Sequence, residues 1–308
     1  MCLPHRTGGL SIVRRVERAV TIINAGGGSV GDDSGDRVRA ALAKAGVDSE
    51  VAVLDAGKIE GRAADAVKSG ARMVIAAGGD GTIGTVASVL AGTDTALAIL
   101  PLGTLNHFAR DLGIPADLDE AAALVATGKA RSVDVGEVNG RIFINNSAIG
   151  LYPLMVLDRD TQQRRLGRSK WLALVVASVR TLVRFGHQRL RLTVNGRPAP
   201  ADTPLLFVGN NDYKLDLPNA GSRDSLSDGK LCVMVMRSKS RAGFVAATAR
   251  ALLGRTRGND MARLDNVTML RVESRRSSLP VALDGETNYM KPPLDYRIRP
   301  GALKVIAP

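Results

Sequence analysis

"AAGGDGTIGT", Ala76–Thr85, closes one apolar run and opens another built of small residues. The run before it, "MVIAA" (73–77), reads as a buried strand; "TIGTVASVLAG" after it reads as a helix stopped by Gly92. A plain strand-to-helix turn needs no such concentration of glycine. Gly78, Gly79 and Gly81 lack Cβ atoms, so phosphate oxygens can reach the backbone amides where a helix N-terminus aims free N–H groups outward. Asp80 would repel a bare phosphate but accept a Mg²⁺ ion bridging two of them. Thr82 can cap the helix or donate to an oxygen. Taken alone, the same residues also make a tight structural turn with an aspartate at the helix start.

Working outward, the first part of the chain repeats this order. "AVTIIN" (19–24) is a strand candidate, followed by a glycine-rich turn and a helix over about 36–45. "EVAVL" (50–54), a helix over 61–69, and "ALAIL" (96–100), broken at once by Pro101, complete the pattern. Alternating β and α segments with apolar strands imply a doubly wound parallel sheet covered by helices on both faces. Ligands bind such sheets at the carboxyl ends of the strands.

After about residue 137 the rhythm changes. "RIFINNSAI" (141–149), "RLRLTVNG" (189–196), "PLLFVGN" (204–210), "KLCVMVM" (230–236), "NVTMLRVES" (266–274), "LPVALDG" (279–285) and the final "LKVIAP" are strand candidates, with helices only around 169–185 and 241–253. Asn195-Gly196 is a hairpin signal. The reading is α/β followed by a mostly antiparallel, sandwich-like β domain, divided as 15–136 and 137–308.

The composition agrees with this. The chain has 308 residues, more than a single core usually organises, with 45% hydrophobic and 23% charged residues, as in a globular protein. A net charge of +12 points to an anionic partner. Five Phe, four Tyr and one Trp are too few for base-stacking surfaces, so no nucleic acid partner is expected. Cys2 and Cys232 form no metal-binding or disulfide pattern. The N-terminal stretch lacks a signal-peptide pattern, and Trp171 to Val179, the longest strongly apolar run, is too short to span a bilayer. A cytoplasmic location is expected, with peripheral contact at the inner face of a membrane.

Two further turns follow strands. "NAGGGSVG" holds Gly26, Gly28 and Gly31 in a G-x-G-x-x-G pattern, with Asp55 ending the next strand, which allows a nicotinamide-dependent oxidoreductase. "PLGTLNHFARDLGIP" (101–115) adds Gly103, Thr104, Asn106 and Arg110. Three consecutive strand ends carrying phosphate-compatible loops are hard to explain as packing.

At G-G-D-G-T (78–82) and P-L-G-T-x-N-x-F-A-R (101–110) the chain resembles the diacylglycerol kinase catalytic-domain family, which includes bacterial lipid kinases and sphingosine kinases. "VDVGEVNGRIFINNSAIG" (133–150), "LSDGKLCVMVM" (226–236) and "LDGE" (283–286) continue the resemblance in order. It implies a lipid kinase using ATP and Mg²⁺. Gly78, Gly79, Asp80, Gly81 and Thr82 would cradle nucleotide phosphate, with Gly103, Thr104 and Asn106 completing the site. Asn24, Gly26, Gly27 and Gly28 would form the family's first nucleotide turn, making the G-x-G-x-x-G a decoy. Asp284 would be the general base and Glu286 a supporting or alternative group, although Asp284-Gly285 by itself reads as a hairpin turn. Asp80 and Asp134 match carboxylates that organise Mg²⁺ through water; Asp228, with the carbonyls of Ser225 and Lys230, matches a structural Mg²⁺ loop. An empty turn is the alternative there, since Ser227 stands where a second acid is common.

The sequence departs from the pattern at His107, where bacterial relatives often carry Asp, and at Gly84-Thr85, where many show Asn-Glu. Arg164, Arg165, Arg168, Lys170, Arg184 and Arg189 flank an apolar helix that suits an anionic bilayer surface, or equally a core helix with solvated ends. The partners implied are a membrane lipid and an anionic membrane surface; a homodimer stays open. Other readings are a kinase of a soluble hydroxyl compound and a nucleotide- or membrane-binding sensor without turnover.

Overall fold

The computed structural model describes residues 19–26, 33–150, 188–214, 222–237, 240, 242–243, 246–247, 250 and 260–308. Strands β1 (Ala19–Asn24), β2 (Ser49–Leu54), β3 (Met73–Gly78) and β4 (Ala96–Pro101) are parallel, in the order β2-β1-β3-β4. Helices α1 (Ser34–Lys44), α2 (Ala56–Lys68), α3 (Asp80–Leu90), α4 (His107–Asp111) and α5 (Leu118–Thr127) connect or cover them. Val74, Ile75, Ala76 and Ala77, and Leu97 to Leu100, are buried along their whole length, as central strands between helix layers must be. α2 begins at Ala56 rather than at residue 61, because Asp55 in extended conformation already ends β2 and starts the helix.

The same sheet continues into the second half. β16 (Leu294–Ala307) runs parallel to β4, with Val305 opposite Leu97, and antiparallel to β5 (Lys129–Val138). β13 (Met269–Ser274), β8 (Gln188–Val194) and β9 (Arg197–Thr203) extend it beyond β16, while β6 (Arg141–Phe143) pairs with β5. Asn195 and Gly196 take left-handed conformations (φ 47° and 82°), the hairpin turn the sequence signalled.

A second sheet has the order β12-β11-β10-β7-β14-β15. Its strands are Met261–Val267 (β12), Leu231–Met236 (β11), Leu205–Asn210 (β10), Asn146–Gly150 (β7), Leu279–Leu283 (β14) and Glu286–Met290 (β15). Val208, Val233, Val281 and Ile149 from this sheet pack with Leu192, Leu270, Val272 and Tyr296 from the first, forming the core of an antiparallel sandwich.

Two expected single strands are divided. The 266–274 segment breaks at Thr268, between β12 and β13, where Thr268 N and Oγ1 both donate to Asn195 Oδ1. The 141–149 segment breaks at Ile144 and Asn145, whose N–H groups bond a side chain instead of a neighbouring strand. That side chain belongs to Asp284. The expected helix at 169–185 lies outside the described residues, as does most of that at 241–253.

Candidate functional site

Three strand ends and one hairpin meet around a cleft. At the end of β3, Gly78 packs against Thr82: a Cβ on Gly78 would lie 2.6 Å from Thr82 Oγ1. Thr82 Oγ1 accepts from Asn24 Nδ2 at 3.1 Å, which fastens the end of β1 to the β3 turn, and Asn24 Oδ1 accepts from Gly26 N at 3.0 Å. Gly27 and Gly28 lie outside the described residues.

After β4, Asn106 closes its own loop, accepting from Gly103 N at 3.1 Å and donating to Gly103 O at 2.7 Å. It does so from a left-handed conformation (φ 47°), which asparagine tolerates better than most residues. Gly103 then lies against Gly79. A Cβ on Gly103 would fall 2.5 Å from Gly79 Cα, closer than atoms can pack. Glycine at 103 is therefore required by backbone meeting backbone. Asp80 Oδ1 accepts a long bond of 3.4 Å from Phe108 N, joining the two loops. Thr104 is exposed, and His107 Nδ1 lies 3.0 Å from Arg110 Nη2.

Asp284 approaches from the opposite side. With Gly285 it forms the left-handed turn between β14 and β15 (φ 47° and 88°), so the hairpin reading holds for its backbone. Its carboxylate does something more. Oδ1 accepts from Asn145 N at 2.8 Å and Asn146 N at 3.0 Å, and Oδ2 accepts from Ile144 N at 2.8 Å. Burial pushes the Asp284 carboxyl up to about 6, and these three donors and the nearby Arg223 partly offset it. A group poised there is largely ionised at neutral pH yet basic enough to take a proton.

Asp80, His107 and Asp284 border one cavity of about 520 Å³, whose remaining wall includes Leu205, Phe207 and Met234. Glu286 is exposed and opens with Gly84, Arg141 and Asp284 onto a second, more polar cavity of about 390 Å³. A Cβ on Gly84 would lie 3.4 Å from Asp284 Oδ2, so the departure at this position leaves space beside the carboxylate.

Comparison with known proteins accounts for this arrangement. Residues 18–138 match the diacylglycerol kinase catalytic domain, and residues 156–307 match the YegS C-terminal NAD kinase beta sandwich-like domain. A Pseudomonas syringae pv. tomato protein named "Probable lipid kinase YegS-like" is 30% identical over 309 residues, covering 95% of this chain and 94% of its own. The chain belongs to this family. The Bacillus subtilis (strain 168) diacylglycerol kinase is 30% identical over 224 residues, or 71% of this chain and 73% of its own. A crystal structure of a candidate diacylglycerol kinase from Bacillus anthracis str. Sterne superimposes with a TM-score of 0.74 at 25% identity, covering 95% of this chain and 98% of that one. The protein is thus an enzyme of the kinase class, with the two-part fold read from its sequence.

The residues expected to hold metal separate into two places. Asp134 is buried, and both its carboxylate oxygens are engaged, by Gly229 N at 2.7 Å and Gly301 N at 2.9 Å. It braces the 225–230 turn rather than bordering the cleft with Asp80. In that turn Ser225 Oγ accepts from Ser227 N, Asp228 N donates to Asn211 Oδ1, and Lys230 Nζ pairs with Asp212 at 2.9 Å. Beside it, Asn210 Oδ1 and Asn211 Nδ2 are buried without partners. Among the described residues no three acidic, histidine or cysteine side chains cluster as a metal cage. Mg²⁺ needs none: it keeps several waters and takes one or two carboxylates together with substrate phosphates. Asp80 at the cleft and the exposed Asp228 fit that requirement as single carboxylates.

Sequence reasoning passed over Arg223. Its side chain is fully buried and pairs with Asp111 through Nε at 2.7 Å. It sits in "SRDSLSDG", a stretch whose composition suggests a solvated loop, so only the distant partner reveals its burial.

Proposed function

We propose that the protein transfers the γ-phosphoryl group of ATP to the hydroxyl of a membrane lipid. The observation that carries this reading is the shared cleft: Asp80 at a glycine-built strand end and Asp284 in its N–H cradle border one cavity with an apolar wall of Leu205, Phe207 and Met234. Such a cavity suits an acceptor with a hydroxyl near an apolar tail. Residues 15–136 would supply the nucleotide side and 137–308 the lipid side.

In this mechanism Gly78 to Thr82, Gly103, Thr104 and Asn106 present backbone and short polar groups to the nucleotide phosphates, with Asn24 and Gly26 at the neighbouring strand end. Asp80 would hold Mg²⁺, which neutralises phosphate charge when bound. Asp228 with the Ser225 and Lys230 carbonyls would hold a second, structural ion, with Asp134 bracing the turn. Asp284 takes the proton of the lipid hydroxyl as its oxygen bonds to the γ-phosphorus and the bond to the departing ADP oxygen breaks. Proton transfer of this kind contributes about 10²- to 10⁴-fold. Glu286, exposed at the adjoining cavity, supports without touching the reacting atoms. The net charge of +12 favours peripheral residence on anionic bilayers. Among the described residues no helix is long and apolar enough to cross a membrane.

The test is transfer of labelled γ-phosphate from ATP with Mg²⁺ to vesicles containing diacylglycerol, phosphatidylglycerol, a sphingoid base, ceramide or a polyprenol. Label on one of these, absent with Asp284→Asn, is the expected result. Label only on soluble hydroxyl compounds would overturn the lipid reading. ATP binding with no transfer to any acceptor would overturn the kinase reading.

A further inference from the structure

Arg223 connects the two sides of the cleft. Its Nε donates to Asp111 Oδ2 at 2.7 Å; Asp111 ends α4, the segment whose Phe108 N bonds Asp80. Nη1 donates to Ile144 O at 2.7 Å and to Asn210 O at 3.2 Å, and Nη2 donates to Asn145 Oδ1 at 2.8 Å. The guanidinium also lies 5.8 Å from the Phe108 ring centroid and 5.1 Å from that of Tyr213.

One of these bonds acts directly on the Asp284 cradle. Ile144 C=O and Asn145 N–H belong to the same peptide unit, which is planar, so one end cannot turn without the other. Arg223 grips the carbonyl end at 2.7 Å, and the N–H end donates to Asp284 Oδ1 at 2.8 Å. A cation on the carbonyl polarises the peptide and strengthens donation from its N–H. A second grip, on the Asn145 side chain, fixes the same residue against rotation.

We propose that Arg223 is a positioning residue for the Asp284 carboxylate: it locks the 144–146 peptides that hold the carboxylate and, through Asp111, ties their placement to the segment facing the nucleotide. The proposal rests on Asp284 serving as base in the transfer described above. Arg223 is buried and does not border the cleft, so it would act through the residues it holds rather than on acceptor or phosphate. Lysine cannot reproduce its function, because a point charge lacks the planar fork that serves Asp111, Ile144 and Asn145 together.

The experiment compares the wild type with Arg223→Lys, Arg223→Met and the double variant Asp111→Leu/Arg223→Met. Removing one member of a buried pair leaves a stranded charge and can unfold a protein, whereas replacing both with apolar residues is often neutral. The double variant therefore keeps the test available if Arg223→Met does not fold. Misplacing a reacting group by about 1 Å costs roughly 10²-fold. The expected result is a folded double variant with kcat on lipid vesicles lowered about 100-fold and KM for ATP little changed. Arg223→Lys should show a similar loss of kcat despite keeping the charge.

A second readout does not depend on turnover. The carboxyl titration of Asp284, followed by ¹³C NMR, should move to higher pH in the double variant, which lacks the cation and the polarised peptide. Asp80, His107, Tyr213 and Lys214 across the cleft and Glu286 on the far side are unaltered in that comparison. A double variant that is stable and fully active, or whose Asp284 titrates as in the wild type, would overturn the proposal. A wild type that labels no lipid would instead overturn the transfer reading, and the titration would still decide the placement of Arg223.

Discussion

The two walls of the cleft are built by opposite means. The wall proposed to face the nucleotide is made of short consecutive segments, Gly78 to Thr82 and Gly103 to Asn106, in which Gly79 and Gly103 lack side chains and their backbones meet. The Asp284 wall gathers residues distant in sequence: a hairpin at 284–285, three N–H groups at 144–146 and an arginine at 223. The first wall creates room for a ligand's charge to approach. The second surrounds a charge of its own, partly shielding it from water while giving it three donors. The difference predicts separable failures: damage to the first wall should impair nucleotide binding, and damage to the second should impair the chemical step.

The largest expected effect falls on the second wall. Asp284→Asn should lower phosphoryl transfer about 10³-fold, within the range for loss of a general base, with little change in ATP affinity. Rates under saturating ATP and lipid would check this. On the first wall, Gly103→Val should weaken ATP binding about tenfold, because its Cβ would fall 2.5 Å from Gly79 Cα and force the two loops apart. Overpacking of this kind also costs roughly 1–3 kcal/mol of stability, so calorimetric ATP titration should be paired with a thermal melt.

A smaller effect sharpens the comparison through pH. The Asp284 carboxyl is raised to about 6 and must be ionised to accept a proton, so kcat/KM should fall towards tenfold per unit as pH drops below about 6. Stability should respond in the opposite sense. With the folded value above the unfolded one, the native state binds the extra proton between about pH 6 and pH 4. This group therefore favours folding at low pH and loses that contribution as pH rises through 6. A pH–rate profile beside denaturant melts separates the two. Least affected should be Glu286→Gln: the side chain is exposed, and a change of about twofold or less in transfer is expected.

The same contrast explains what could be read from sequence. β1, β3 and β4 were legible because buried parallel strands are continuous apolar runs, and the glycine turns because their cause lies within a few residues. The antiparallel half was legible as strands and at its Asn195-Gly196 and Asp284-Gly285 hairpins, while its strand breaks were not. The 141–149 segment reads as one strand, yet it breaks where Ile144 and Asn145 turn their N–H groups to Asp284, 139–140 residues further on. Asp284 itself spells a hairpin turn, and its backbone is one; only family resemblance singled out its carboxylate. Arg223 gave no local signal, since its burial depends on Asp111, 112 residues away. Asp134 was singled out only by the family resemblance, and its partners, Gly229 and Gly301, emerge only when β5, the 225–230 turn and β16 come together.

Whether the cleft divides binding from chemistry is decided by measuring ATP affinity and lipid phosphorylation in parallel for Gly103→Val and Asp284→Asn. The expected result is crossed: weakened ATP binding with transfer recovered at high ATP for the first, and near-normal ATP binding with transfer lost at every ATP concentration for the second. Wild-type transfer by Asp284→Asn would contradict it, reducing Asp284 to the corner of a hairpin.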